Sequence, residues 1–168
     1  MQTAGNEGKS KLVSLATSSD RTLFFDFLPI EAMSIKGFKT KFQLYTVPGQ
    51  VIYNTTRQLV LRGVDGIVFV ADSQFEKMEE NVESFQNLSD NLKTLKLNLD
   101  DIPYVLQYNK RDLPNIAPME YMDYIMNNRE VRVPSFPAAA FRSEGVFETL
   151  NMITRMLLHK FINQGAKK

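Results

Sequence analysis

Ile102-Pro103-Tyr104-Val105-Leu106-Gln107-Tyr108-Asn109-Lys110-Arg111-Asp112 is the stretch from which the rest of the chain can be read. Its first part, Ile102 to Tyr108, is an apolar run of strand length that reads as a buried strand. Four polar residues end it, and Leu113-Pro114 then turns the chain. A carboxylate at the end of such a strand can accept hydrogen bonds from N1–H and the exocyclic amine of guanine. Adenine has no donor on that edge and would leave Asp112 desolvated and unpaired. Asn109 is expected to tie the loop to a phosphate-binding region, and the stem of Lys110 to lie over the base plane. A string N-K-x-D arises by chance about once in tens to hundreds of chains of this size, so an ordinary strand-end turn is the competing reading.

Outward from this loop, strands and helices alternate. Gly66–Ala71 (GIVFVA) is a continuous apolar run, expected to be a strand buried on both faces of a parallel sheet. Asp72-Ser73 can cap the helix that follows, where Met78, Val82, Phe85, Leu88, Leu92 and Leu95 repeat at helical spacing. Beyond the loop come a short helix over Glu120–Asn127, a last strand over Ser135–Ala140 and a closing helix over Gly145–Phe161. The closing helix should turn Val146, Leu150, Ile153, Leu157 and Phe161 inward. Upstream, Leu23–Leu28 and Phe38–Val47 are strand candidates forming a hairpin or near-hairpin. In the second, Phe38, Thr40, Phe42 and Leu44 share a face. Val51–Leu61 suits a short helix that Gly63 would terminate. The alternation argues for an α/β domain with a mostly parallel sheet.

Composition narrows the functions open to such a domain. A chain of 168 residues, 43% of them hydrophobic, is long enough for a real core. A net charge of +1 gives no electrostatic case for a nucleic-acid or membrane partner. Cysteine is absent, which excludes disulfides, thiolate metal sites, cysteine catalysis and lipidation through cysteine. No apolar stretch approaches the ~20 residues of a membrane span, and Met1–Lys11 is a polar segment without the apolar core of a signal peptide. His159, the single histidine, reads as a surface residue of the last helix.

Two further groups could handle phosphate. Thr46-Val47-Pro48-Gly49-Gln50 closes the strand that begins at Phe38. A glycine there lets backbone N–H approach a terminal phosphate, and a glutamine one residue on can position water for in-line attack. A plain Pro-Gly turn is the other reading. Arg21-Thr22 precedes the first strand candidate. A threonine hydroxyl is a suitable Mg²⁺ ligand, and an arginine can neutralise charge developing in phosphoryl transfer. Solvated loop residues are the ordinary alternative. Small residues at Ala138-Ala139-Ala140 would let backbone N–H groups reach a purine O6, or are simple packing.

Taken together, Arg21–Pro29 (RTLFFDFLP), Gly37–Thr40 (GFKT), Tyr45–Gln50 (YTVPGQ), Leu61–Phe69 (LRGVDGIVF), Val105–Pro114 and Gly145–Leu150 (GVFETL) resemble the MglA family, the bacterial Ras-like small GTPases of gliding motility and cell polarity. Thr46 fits that branch, because most Ras-like proteins carry aspartate there. The resemblance spans residues 12–168, leaving 1–11 as a polar N-terminal segment. It implies a Ras-like G domain: an α/β fold with a mostly parallel sheet and helices on both faces. It also implies a GDP/GTP switch hydrolysing GTP to GDP and phosphate with Mg²⁺, working in the cytoplasm and at the cell pole. By the same resemblance Thr22 is the switch-I threonine and metal ligand, Arg21 an intrinsic arginine finger and Gly49 a γ-phosphate contact. Gln50 orients water, Asn109, Lys110 and Asp112 bind guanine, and Ala139 and Ala140 take the usual Ser-Ala place. The implied partner is an MglB-like roadblock dimer acting as GTPase-activating protein, with no nucleic acid, integral membrane segment or lipid anchor.

One departure stands out. The family's central first strand, its phosphate loop G-x-x-x-x-G-K-[ST] and its first helix have no counterpart in this sequence. Gly8-Lys9-Ser10 imitates only the tail of that loop, with Thr3 where its first glycine would stand. The expectation is a chain incomplete at its N-terminus, with impaired nucleotide binding and a tendency to instability or aggregation. A pseudo-GTPase scaffold that keeps a partner surface without nucleotide is the alternative.

Overall fold

The computed structural model describes residues 13–14, 26–35, 38–47 and 54–165, which fall in two compact units, Met1–Val60 and Leu61–Lys168. In the first unit, β1 (Val13–Ser14), β2 (Asp26–Ile35) and β3 (Phe38–Tyr45) form an antiparallel sheet in that order. The expected hairpin is present: β2 and β3 pair from Phe27↔Tyr45 to Ala32↔Thr40, with a register shift between Ala32 and Ile35. Its first strand lies further along than Leu23–Leu28. Pro29 does not break it, since β1 pairs only with Phe27 and Asp26 and Pro29 already lies beyond that ladder. Along β3, Phe42 and Leu44 are half-buried while Gln43 and Tyr45 are exposed, the alternation a pleated strand imposes. Helix α1 (Asn54–Leu61) follows, and Gly63 beyond its end has φ +73°, the left-handed conformation of a helix-terminating glycine.

The second unit carries the loop of interest. Its strands are β4 (Ile67–Asp72), β5 (Tyr104–Asn109) and β6 (Ser135–Pro137). They are parallel, in that order, with Ile67 opposite Tyr104 and Leu106 opposite Ser135. Helices α2 (Met78–Thr94), α3 (Met119–Met126) and α4 (Val146–Gly165) cover them. β5 is the axis of this unit, with every residue from Tyr104 to Tyr108 buried. Tyr104, Leu106 and Tyr108 point to one side, into a core with Met78, Leu88 and Leu92 of α2 and Met122 and Met126 of α3. Phe85 of α2 meets the Phe69 ring edge-on at 4.9 Å. Val105 and Gln107 face the other side, where α4 packs on all three strands with Ile153 and Leu157 buried. The expected α/β arrangement, with helices on both faces of a parallel sheet, is therefore what this unit has.

Several expectations need correction. β4 is not buried on both faces: Val70 is 52% exposed, because β4 is an edge strand with a ladder only to β5 among the described residues. Phe161, assigned inward on its helix, is exposed, and so is Val82 of the apolar repeat along α2. The last strand ends at Pro137 rather than Ala140. Lys110 leaves β5 with φ +64°, so the chain after Ala138 has no ladder left to join and folds back on itself. Asp72-Ser73 does not cap α2, because a single 3₁₀ turn, Phe75–Lys77, intervenes. Asp72 Oδ1 instead accepts the N–H of Gln74 at 3.0 Å. Among the described residues no helix is long and apolar enough to cross a membrane.

Candidate functional site

The polar loop stands at the carboxyl end of β5, where buried backbone gives way to solvent. Asn109 is the last strand residue and sits opposite Asp72, the last residue of β4. Its carbonyl accepts from Ser73 N–H at 2.9 Å, and its side-chain Oδ1 accepts from Ala140 N–H at 2.9 Å. Asn109 thus ties the loop to the segment after β6. Lys110 turns through left-handed backbone, and its Nζ reaches Asp72 Oδ2 at 2.7 Å while its side chain stays half exposed. Arg111 anchors the loop: its N–H bonds Ala138 O at 3.0 Å and its guanidinium bonds Ala117 O. Leu113 N–H closes the turn on Lys110 O at 3.1 Å.

Asp112 is the unusual member. Its side chain is only 13% exposed, yet its ion-pair partner, Arg142 Nε, is 4.0 Å away. That is too long for a hydrogen bond, so among the described residues this mostly covered carboxylate has no close donor. Such a group asks for two N–H donors side by side, which is what the N1–H and amine edge of guanine offers.

The segment after β6 forms the opposite wall. Ala138 and Ala139 are buried. Ala139 N–H bonds Glu144 O at 3.0 Å, and Ala139 O accepts from Arg142 N–H at 2.8 Å and Glu144 N–H at 3.2 Å. Both backbone N–H groups expected to reach a purine O6, those of Ala139 and Ala140, are engaged within the protein here. For Ala140 the bond is to the side chain of Asn109, a partner that a ligand carbonyl could replace. Gly145, at φ +73°, closes this segment; a Cβ there would lie 2.0 Å from Pro137 O.

Asn109, Lys110 and Asp112 are therefore brought together with Ala139 and Ala140. Arg21, Thr22, Gly49 and Gln50 lie outside the described residues. Among the described residues no group of three His, Cys, Asp or Glu side chains is arranged to hold a metal ion. Sequence reasoning missed Asp72 and Arg142 as supports of the loop. Asp72 could have been found, since parallel register puts the end of β4 beside the end of β5; nothing in the local sequence marks Arg142.

With that geometry in place, the similarity to known proteins becomes informative. The model of the Ras family matches residues 5–159, across both units. The chain is 55% identical to mutual gliding-motility protein MglA of Myxococcus xanthus (strain DK1622) over 159 residues, covering 95% of this chain and 80% of that protein. It is also 29% identical to Ras-related protein Rab-13 of Canis lupus familiaris over 140 residues, covering 83% of this chain and 66% of that one.

Proposed function

The chain belongs to the Ras family, and from that footing we propose that it is a small GTP-binding protein, a GDP/GTP switch for bacterial motility and cell polarity. The observation that carries the proposal is Asp112: a carboxylate 13% exposed, without a close hydrogen-bond donor among the described residues, just beyond the end of the central strand. Guanine supplies the two donors that this group lacks, and adenine supplies none.

In this reading Asp112 fixes the base edge, the stem of Lys110 covers the base plane, and the Ala140 N–H passes from Asn109 to the purine O6. Ala139 keeps that segment in place. Gly49 approaches the terminal phosphate, Gln50 orients the attacking water, and Arg21 neutralises charge that develops on the phosphoryl group. Mg²⁺, which in this family accompanies the nucleotide phosphates, would take Thr22 as a protein ligand and screen their charge. A roadblock-type dimer of the MglB kind is the proposed activating partner, and the cytoplasm and cell pole the proposed place of work. The 55% identity to MglA supports both.

The motif G-x-x-x-x-G-K-[ST] does not occur in the 168 residues. We therefore expect this polypeptide to bind nucleotide weakly, since hydrogen bonds to charged phosphate contribute about 1.5–3 kcal/mol each. The same observation favours a second reading, a pseudo-GTPase interaction scaffold that binds no nucleotide.

Calorimetric titration with GDP and Mg²⁺, using ADP as control, separates these. Weak GDP-selective binding supports the proposal as stated. Submicromolar GDP binding would overturn the expected impairment but keep the switch. A folded sample that binds neither nucleotide would leave the scaffold.

A further inference from the structure

Asn81 is buried near the start of α2, where asparagine is a poor helix former and its amide needs partners. The side chain finds both in one residue. Its Oδ1 accepts the Asp72 N–H at 3.0 Å, and its Nδ2 donates to the Asp72 carbonyl at 2.8 Å. A carboxamide carries the same kinds of donor and acceptor as a peptide group. Asn81 therefore pairs with the last residue of β4 as a neighbouring strand would, on a strand that has a ladder only to β5 among the described residues.

What this clamp holds is a carboxylate beside the guanine loop. Asp72 lies opposite Asn109 in the parallel register, and its side chain is 14% exposed. Oδ1 accepts the Gln74 N–H at 3.0 Å, and Oδ2 meets Lys110 Nζ at 2.7 Å. A lysine ammonium on a flexible stem gains little from an acid that moves freely with it. Here the acid is fixed twice, its backbone by Asn81 and its carboxylate by the Gln74 N–H. The Lys110 stem is thus tethered at both ends, by left-handed backbone at one and by Asp72 at the other.

We propose that Asn81 is a positioning residue of the guanine site: by holding the Asp72 backbone, it fixes the carboxylate that sets the Lys110 side chain against the base plane. The inference rests on the nucleotide-binding reading and extends its site to α2. Asp112 discriminates between purines by their edges, whereas a lysine stem covers the face of any purine. Loss of the clamp should therefore lower affinity without changing selectivity.

The test is proton NMR titration of the 168-residue chain with millimolar GDP and IDP, well below its melting temperature. Asn81→Ala removes both bonds with the best helix former, and Asn81→Leu removes them without leaving a hole. Each should weaken GDP and IDP by the same factor, about fivefold. In an Asp72→Ala background neither should change affinity further, because no carboxylate remains to be positioned. In the ligand-free chain the Asp72 amide should exchange faster in both variants, relative to the Leu106 amide of β5. Asn91→Ala removes another buried asparagine of α2, bonded to Asn87 Oδ1 at 2.9 Å, and should lower the melting temperature while leaving GDP affinity unchanged. Unchanged GDP affinity in both Asn81 variants, an equal loss in the Asp72→Ala background, an equal loss in Asn91→Ala, or an Asp72 amide that keeps its protection overturns the positioning role alone. No binding of either nucleotide by the wild type overturns the nucleotide reading, and the positioning role with it.

Discussion

At the scale of single residues, two side chains on or beside β5 make opposite demands. Asp112 is a mostly covered acceptor with no close donor among the described residues, so removing it should cost ligand affinity and little else. Asp112→Ala is expected to weaken GDP binding at least about 100-fold, two charge-assisted hydrogen bonds at about 1.5–3 kcal/mol each, and to erase any preference over ADP. Competition titration reads this directly, and a variant that still prefers GDP would refute the assignment. Tyr108 is satisfied: its hydroxyl donates to Asp123 Oδ1 at 2.8 Å from a fully buried position. Burial first, and then that bond, push its phenol far above the ordinary tyrosine range, and burial also raises Tyr104. The folded chain holds these protons more tightly than the unfolded chain, whose tyrosines titrate near 10. Their contribution to stability is whole below about pH 10 and falls as pH rises past it, for Tyr108 by on the order of 1 kcal/mol per pH unit. Urea unfolding at pH 9 and pH 11 should show that loss, and Tyr108→Phe should show a smaller one; equal losses would count against this origin.

At the scale of elements, two glycines with the same backbone angle have different duties. Gly63 and Gly145 both sit at φ +73°, but a Cβ on Gly63 meets nothing within 4 Å. On Gly145 it would meet the Pro137 carbonyl and the Ala138 backbone. Gly63→Ala should therefore cost only left-handed strain, about 1–2 kcal/mol. Gly145→Ala should cost more and also weaken GDP binding, by displacing the Ala138–Glu144 segment from Asn109. Thermal melts combined with GDP titration of both variants would show the difference; indistinguishable losses would contradict it. Periodicity made most of these elements legible: the apolar spacing of α2 and α4 and the apolar run of β5 were enough to place them. It did not reveal where β6 stops, because that depends on Lys110 leaving the neighbouring strand. Nor did it show that buried Asn127 pins the start of β6, with its amide donating to Val133 O at 2.8 Å and its Oδ1 accepting from Val133 N–H at 3.0 Å. A polar side chain inside a core is justified by its partners, and those lie elsewhere in the chain.

At the scale of the whole molecule, the recognition loop was legible because its residues are consecutive, whereas Asp72 and Arg142 reach it only through strand register and a return of the chain. The exposure of β4 was illegible for a related reason: its apolar sequence says that it is fit for burial, and only its neighbours decide whether burial happens. A half-exposed Val70 on an edge strand invites pairing with another molecule. Val70→Lys should therefore shift the 168-residue chain toward monomer in light scattering at rising concentration, and an unchanged distribution would argue against association through β4. The burial of β5 from Tyr104 to Tyr108 has a different consequence. Its amides can exchange with solvent only when the second unit as a whole comes apart. A recognition loop rooted in that strand has no private melting transition, so warming should abolish base selectivity and cooperative structure at one temperature, and ligand should raise that temperature in proportion to the logarithm of its concentration.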